Sequence, residues 1–291
     1  MKSLIVSACI LSGIKAAHLG GAYDAATNQE PDDALVEGRR TTSTTCFTDG
    51  SVKHVQKLSA LYGYWIDAGN GQTGYGLEGL GDLDGDGVED LAVGVPVDGD
   101  GGTAGAVYVL FLETSGNVKS SQKISMLYGN FNAFYTLHAS DQFGTAVETV
   151  GDLDGDGVVD LAVGSHFEDD GGSNAGAMYI LFLETNGIVK NAFKSSAQYG
   201  NFNTFYTLDA SDLFGGSLAA LGDIDGDSVL DLAVGARGDG DGGLRVGAVY
   251  VLTLETNGNV KNAQKISMLF GNFNVFILLT LKTTSAIRRR R

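Results

Sequence analysis

The sequence predicts an all-β fold, an incomplete, open β-propeller of about three four-stranded blades with partial flanking blades. Three observations carry this. Residues 81–94, Gly-Asp-Leu-Asp-Gly-Asp-Gly-Val-Glu-Asp-Leu-Ala-Val-Gly, return almost unchanged at 151–164 and again at 222–235, so the chain is a tandem array rather than one or two ordinary domains. Forty-three Gly stand against two Pro with few helix signals, which fits many short strands joined by tight turns. Within each copy, four strand-like runs follow in the same order, and four strands make a blade.

From the amino terminus, residues 1–22 read as a secretory signal peptide: Lys2, then the apolar run Leu4 to Leu11, then small residues at Gly20 and Ala22. That run is too short for a membrane span. Residues 23–45 are polar and without period, a flexible lead-in. Residues 46–74 hold a partial blade, because 47–59 echoes 112–125 and 254–267, followed by a connector. Blade 1 with its connector occupies 75–142, blade 2 with its connector 143–213, and blade 3 residues 214–269. Residues 270–291 start a truncated fourth repeat and end in a basic tail, Arg288 to Arg291.

In the second unit a strand at 144–150 leads into the acidic loop, which returns into the apolar 161–164. An acidic Gly-rich turn and the apolar run 176–183 follow. Glu184, Thr185, Asn186 and Gly187 then close a hairpin onto 189–195, with Asn-Gly supplying residues that tolerate positive φ. Alternate connections of a meander emerge at opposite ends, so the acidic loops share an end with the Asn-Gly hairpins. The other end carries the acidic turns (Asp98 and Asp100; Glu168, Asp169 and Asp170; Asp239 and Asp241) and the connectors 126–142 and 197–213. The connectors repeat Tyr128, Phe131, Phe134, Tyr135 and Tyr199, Phe202, Phe205, Tyr206, aromatics that either grip a ligand or, the reading favoured here, seal the gap between blades.

The repeated loops are calcium cradles. Carboxylates stand at positions 1, 3, 5 and 9, with a backbone carbonyl at position 7. The sets are Asp82, Asp84, Asp86, Val88 and Asp90; Asp152, Asp154, Asp156, Val158 and Asp160; and Asp223, Asp225, Asp227, Val229 and Asp231. A hard cation takes six to eight oxygens, and alternate side chains on a tight loop can turn toward one point. Three Ca2+ sites are expected. An EF-hand would need a bidentate Glu at position 12, where Val93, Val163 and Val234 stand instead. Merely acidic turns are the weaker reading, given three copies with the same four positions filled. Ser228 replaces the glycine of Gly87 and Gly157, so the third loop is expected to be strained or weaker.

A net charge of −16 argues against nucleic acid and anionic membrane as partners. Of two cysteines, Cys9 falls in the leader and Cys46 is left alone, so no disulfide framework is expected and calcium takes that role. No catalytic constellation is present: His18, His54, His138 and His166 are scattered, there is no Gly-x-Ser-x-Gly elbow, and the Asp residues stand at metal spacing. The expectation is a protein that is not an enzyme.

The order Phe-Gly, DxDxDGxxDL, Gly-Ala-x-Tyr resembles FG-GAP repeats, the units of the amino-terminal β-propeller of integrin α subunits. Phe-Gly stands at Phe143-Gly144 and Phe214-Gly215, with Tyr75-Gly76 in the first unit; Gly-Ala-Pro stands loosely at Gly94-Val95-Pro96, Gly164-Ser165-His166 and Gly235-Ala236-Arg237. The resemblance covers roughly residues 46–273. It implies a secreted or cell-surface, extracellular module that uses a calcium-braced propeller for cell adhesion or ligand binding. The implied partners are an extracellular protein or glycan ligand, or a further propeller-forming chain, with membrane association only through a partner. Three complete units cannot close the family's seven-bladed ring, so an open array is expected. The alternatives are an accessory repeat domain of a secreted hydrolase or lyase, and a structural matrix or wall protein. Arg237-Gly238-Asp239 also spells the tripeptide integrins recognise, on a turn expected to be exposed and read as a coincidental match.

Overall fold

The computed structural model describes residues 55–58, 72–100 and 102–271. The expected leader, the polar lead-in, most of the partial blade at 46–74 and the tail from 272 lie outside the described residues. The chain divides into two compact units, 1–57 and 58–291. Of the first, the described residues 55–57 form no regular element. The second carries the blades.

Three separate four-stranded antiparallel sheets succeed one another, each a meander with strands side by side in chain order. Blade 1 holds β1 (Leu77–Gly81), β2 (Asp90–Val95), β3 (Ala106–Leu112) and β4 (Val118–Ser125). Blade 2 holds β5 (Val147–Gly151), β6 (Asp160–Ser165), β7 (Ala177–Leu183) and β8 (Val189–Ser196). Blade 3 holds β9 (Phe214–Gly222), β10 (Asp231–Ala236), β11 (Ala248–Leu254) and β12 (Val260–Ile266). Among the described residues there is no α-helix, and the connectors contain single 3₁₀ turns at Phe131–Ala133 and Phe202–Thr204.

The third strands explain the stacking. Ala-Val-Tyr-Val-Leu-Phe-Leu in β3 and Ala-Met-Tyr-Ile-Leu-Phe-Leu in β7 are apolar on both faces, and all seven residues of each are buried. A strand apolar on both faces must be covered on both. Alternate residues of β7 do this: Tyr179 and Leu181 pack with Val107 and Val109 of blade 1, whereas Met178 and Ile180 pack with Tyr250 and Leu252 of blade 3.

Each junction is closed by the next unit's Phe-Gly. Phe143 N–H donates to Ala104 O at 2.8 Å and pairs in parallel with Gly105; Phe214 does the same at Ala175 O (3.0 Å) and Gly176. The connector aromatics complete the seal. Phe131 lies 4.9 Å from Phe143 and edge-on to Tyr179 at 5.4 Å, and Phe202 repeats this with Phe214 at 4.8 Å and Tyr250 at 5.2 Å. Both Phe131 and Phe202 are fully buried, each burial contributing about 1.5–3 kcal/mol. Tyr135 and Tyr206 hold the seal by accepting the N–H of Lys194 and Lys265 at 3.1 and 3.0 Å. Sealing is therefore the role of these four rings, while Tyr128 and Tyr199 are exposed, each beneath a lysine ammonium, with Tyr199 edge-on to Tyr135 at 6.3 Å.

Two local expectations are corrected. The counterpart of Phe143-Gly144 in blade 1 is Thr73-Gly74, not Tyr75-Gly76. Gly74 and Tyr75 N–H both donate to Gly94 O (3.0 and 3.2 Å), as Gly144 and Thr145 do to Gly164 O (3.0 and 3.2 Å). Tyr75 is 61% exposed. The other concerns the hairpin at Asn186-Gly187, where only Gly187 takes positive φ (78°). Gly187 N–H closes on Glu184 O at 2.8 Å and the register shifts at Phe182/Leu183. The four-residue loop is thus a turn with a bulge, which asks for left-handed backbone at one residue rather than two.

Candidate metal centres

Each acidic loop joins the first two strands of its blade and is shaped by its own aspartates. Asp152 at position 1 accepts three backbone N–H groups, from Gly155 (2.8 Å), Asp156 (2.9 Å) and Gly157 (2.7 Å), and Asp223 repeats this with Gly226, Asp227 and Ser228. In blade 1, Asp82 accepts from Gly87 at 2.8 Å. The position 5 carboxylates, Asp86, Asp156 and Asp227, each accept the N–H of the position 7 valine, Val88, Val158 or Val229, at 2.9 Å. These bonds curl the loop and bring its exposed carboxylates together.

Position 9 is different in kind. Asp90, Asp160 and Asp231 are the first residues of β2, β6 and β10, and all three are buried. Asp160 Oδ2 accepts Leu153 N–H at 2.9 Å and Oδ1 accepts Leu183 N–H at 3.0 Å, so one carboxylate ties the loop to the end of the third strand. Asp90 does so with Leu83 and Leu112, and Asp231 with Ile224 and Leu254. Burial raises the Asp90 pKa and pushes that of Asp160 to about 6, against the pull of those N–H groups.

Ligand oxygens of Asp82, Asp84 and Asp86 lie within 4.8 Å of one another, as do those of Asp223, Asp225 and Asp227, and those of Asp152, Asp154 and Asp160. The donors are all oxygen, which suits a hard divalent cation. A cationic group already rests on them. Lys119 bridges Asp84 (2.6 Å) and Asp86, Lys190 bridges Asp154 (2.9 Å) and Asp156, and Lys261 bridges Asp225 (2.8 Å) and Asp227 (2.6 Å). The residues therefore fit a cation bound by positions 1, 3 and 5 in the first and third loops and by positions 1, 3 and 9 in the second, where Asp160 also serves as the buried anchor. Hydrogen bonds from these lysines hold the pKa of Asp86, Asp156 and Asp227 below the usual carboxylate value. The sequence reading missed the lysines, although Val-Lys recurs at Val118-Lys119, Val189-Lys190 and Val260-Lys261.

Ser228 takes φ 70° where Gly87 and Gly157 take 85° and 90°, so the expected strain of the third loop is present in the backbone.

The opposite end of each blade holds a second set of carboxylates that are already neutralised. Lys123 bridges Asp98 and Asp100, both at 2.6 Å; Lys194 bridges Glu168 and Asp170, both at 2.6 Å; Lys265 bridges Asp239 at 2.6 Å and Asp241 at 2.5 Å. Asp98, Glu168 and Asp239 are buried. Oxygens of Asp141 and Glu168 also lie near His138, but Glu168 is taken by Lys194. This geometry overturns the exposed reading of Arg237-Gly238-Asp239. The Asp239 carboxylate is 1% exposed and accepts from Tyr250 Oη at 3.0 Å besides Lys265, and Gly238 N–H is bound to Asp212 O at 3.0 Å.

Residues 74–110, 143–181 and 214–252 match the family model for the FG-GAP repeat. The chain is 30% identical over 193 residues to integrin alpha-PS5 of Drosophila melanogaster, covering 64% of this chain and 16% of that protein. It is 37% identical over 174 residues to integrin alpha ina-1 of Caenorhabditis elegans, 56% of this chain and 14% of that protein. To integrin alpha-6 of Gallus gallus it is 33% identical over 164 residues, 54% and 13% respectively. The aligned region thus spans only 13–16% of the length of these relatives. The chain carries three FG-GAP repeats and is distantly similar to integrin alpha subunits over about half its length.

Proposed function

We propose that this array of FG-GAP repeats is a calcium-braced, non-catalytic binding module that acts outside the cell, in adhesion or capture of a protein or glycan ligand. One observation carries the calcium reading: in all three blades oxygen ligands converge within 4.8 Å at the same loop. Each Ca2+ would be held by positions 1, 3 and 5, with the position 7 carbonyl and the position 9 carboxylate completing the set. The cation supplies charge neutralisation at a loop that otherwise concentrates four carboxylates.

The chain's own residues do the rest. Asp152 and Asp223 fold their loops through three N–H bonds each, and the position 9 carboxylates pin them to β3, β7 and β11. A ligand bound by the folded loop alone adds its binding free energy to stability, about 2.7 kcal/mol per site at a hundredfold excess over Kd. The adhesive role and the extracellular setting rest on the likeness to integrin alpha subunits.

The test is thermal unfolding of the full chain in about 1 mM calcium, a level suited to extracellular modules, against the same chain in chelator. The midpoint is expected to rise with calcium. An unchanged midpoint in a cooperative transition overturns the calcium reading. Attachment of cells to the immobilised chain, abolished by chelator, tests the adhesive role separately.

A further inference from the structure

The fourth strand of every blade begins with a valine followed by a lysine. Val118, Val189 and Val260 are buried, and alternation along the strand turns the next side chain the other way. That side chain is Lys119, Lys190 or Lys261, and it crosses to the acidic loop between the first two strands, 33 to 36 residues earlier in the chain. In all three blades the same two carboxylates are taken, those at positions 3 and 5. Five of these six carboxylates, all but Asp156, belong to the groups that converge for a metal. A lysine ammonium is charged at neutral pH.

An ammonium seated on both carboxylates does two things. It relieves repulsion in the empty loop, and it competes with any other cation for the same oxygens. We propose that Lys119, Lys190 and Lys261 are built-in counter-ions that hold the three loops closed without metal and must be displaced when a divalent cation binds, so that they set the loops' cation affinity. The role rests on the loops being calcium sites. The lock is least exposed at Lys190, whose side chain is 22% accessible against 37% for Lys119 and 43% for Lys261. The second loop should therefore feel its removal most.

The experiment compares the full wild-type chain with Lys190→Met, and with Lys119→Met, Lys190→Met and Lys261→Met combined. Calcium binding is read by calorimetry, and unfolding midpoints are read in chelator and in calcium. Losing two surface ion pairs per loop should tighten the calcium Kd by about tenfold. The midpoint should fall in chelator while the calcium-induced rise grows, and Lys190→Arg should restore wild-type behaviour. An unchanged or weaker Kd overturns the proposal, as does an equal fall of midpoint in both conditions, which would mark the lysines as structural only. If the combined variant does not fold, Lys261→Gln at the most exposed position gives the same readout. A wild type that binds no calcium while a lysine variant does upholds both the loops as cation sites and the lock on them; binding by neither overturns both.

Discussion

Gly164 lies so close to Gly215 of the next blade that a Cβ on it would fall inside the van der Waals shell of the Gly215 carbonyl oxygen. Gly94 and Gly144 repeat the relationship one blade earlier. The obstacle is backbone, which cannot rotate aside, so Gly164→Ala must push blades 2 and 3 apart. The expected cost is about 2–3 kcal/mol by denaturant unfolding at fixed calcium. Gly79→Ala is the control, since a Cβ there meets nothing within 4 Å. Equal midpoints for the two variants would show that the junction is not tight.

Asp160 and Asp154 sit in one loop but should act differently. Asp160→Ala leaves the N–H groups of Leu153 and Leu183 without their acceptor in a buried setting. That costs about 2–5 kcal/mol, and the loss is already present in chelator. Asp154 is exposed and paired with Lys190, so Asp154→Ala should change stability in chelator by less than about 1 kcal/mol. Its effect is to abolish the calcium-induced stabilisation of blade 2. Thermal scans in both conditions separate the two, and equal losses for Asp154→Ala with and without calcium would count against a metal role.

The three blades and their loops were legible because each unit states the same pattern, and the doubly apolar third strands could only belong in a stack. The register of the first unit was not. Tyr75-Gly76 imitates Phe-Gly in sequence, but the hydrogen bonds to Gly94 O come from Gly74 and Tyr75, so the plug position falls to Thr73. Charge pairing was also hidden. A lysine on a polar strand reads as solvated, and its partners lie 23 to 36 residues away, so Lys119 with Asp84 and Lys194 with Glu168 became visible only in three dimensions. For the same reason Asp239 read as part of an open turn, although Lys265 and Tyr250 bury it.

Acidification should stabilise the fold through two connector carboxylates. Burial pushes Asp141 and Asp212 up to about 6 from an ordinary value of 3.8. Between those values the folded chain binds more protons than the unfolded one, so stability falls as pH rises through the window, and the penalty is complete above about pH 6. His166 works in the opposite direction, since burial and then Arg237 hold it at about 4, and stability is lost as pH falls below its ordinary value of 6.5. The test is therefore a difference. Asp141→Asn and Asp212→Asn keep a carbonyl oxygen to accept the N–H of His138 and Asp209. Each should raise the midpoint by a few degrees at pH 7 and have little effect at pH 4, measured in chelator. A gain independent of pH would show that these carboxylates do not titrate in that window.

Ser228 offers a gain of stability rather than a loss. Its backbone is held at φ 70° because its N–H donates to Asp223 Oδ2 at 2.8 Å, a bond that Gly87 and Gly157 make to Asp82 and Asp152 at 2.8 and 2.7 Å. The loop needs that bond, so serine bears the left-handed strain, about 1–2 kcal/mol for a residue with a Cβ. Glycine removes the strain but frees the unfolded chain by roughly 0.5–1 kcal/mol, leaving a net gain of about 0.5–1 kcal/mol for Ser228→Gly. Gly157→Ser should lose a similar amount in blade 2. Because position 6 shapes the loop that gathers Asp223, Asp225 and Asp227, Ser228→Gly should also tighten calcium binding at the third site. Unfolding in chelator reads the first effect and a calcium titration the second. A destabilised Ser228→Gly would mean that the serine side chain contributes more than its strained backbone costs.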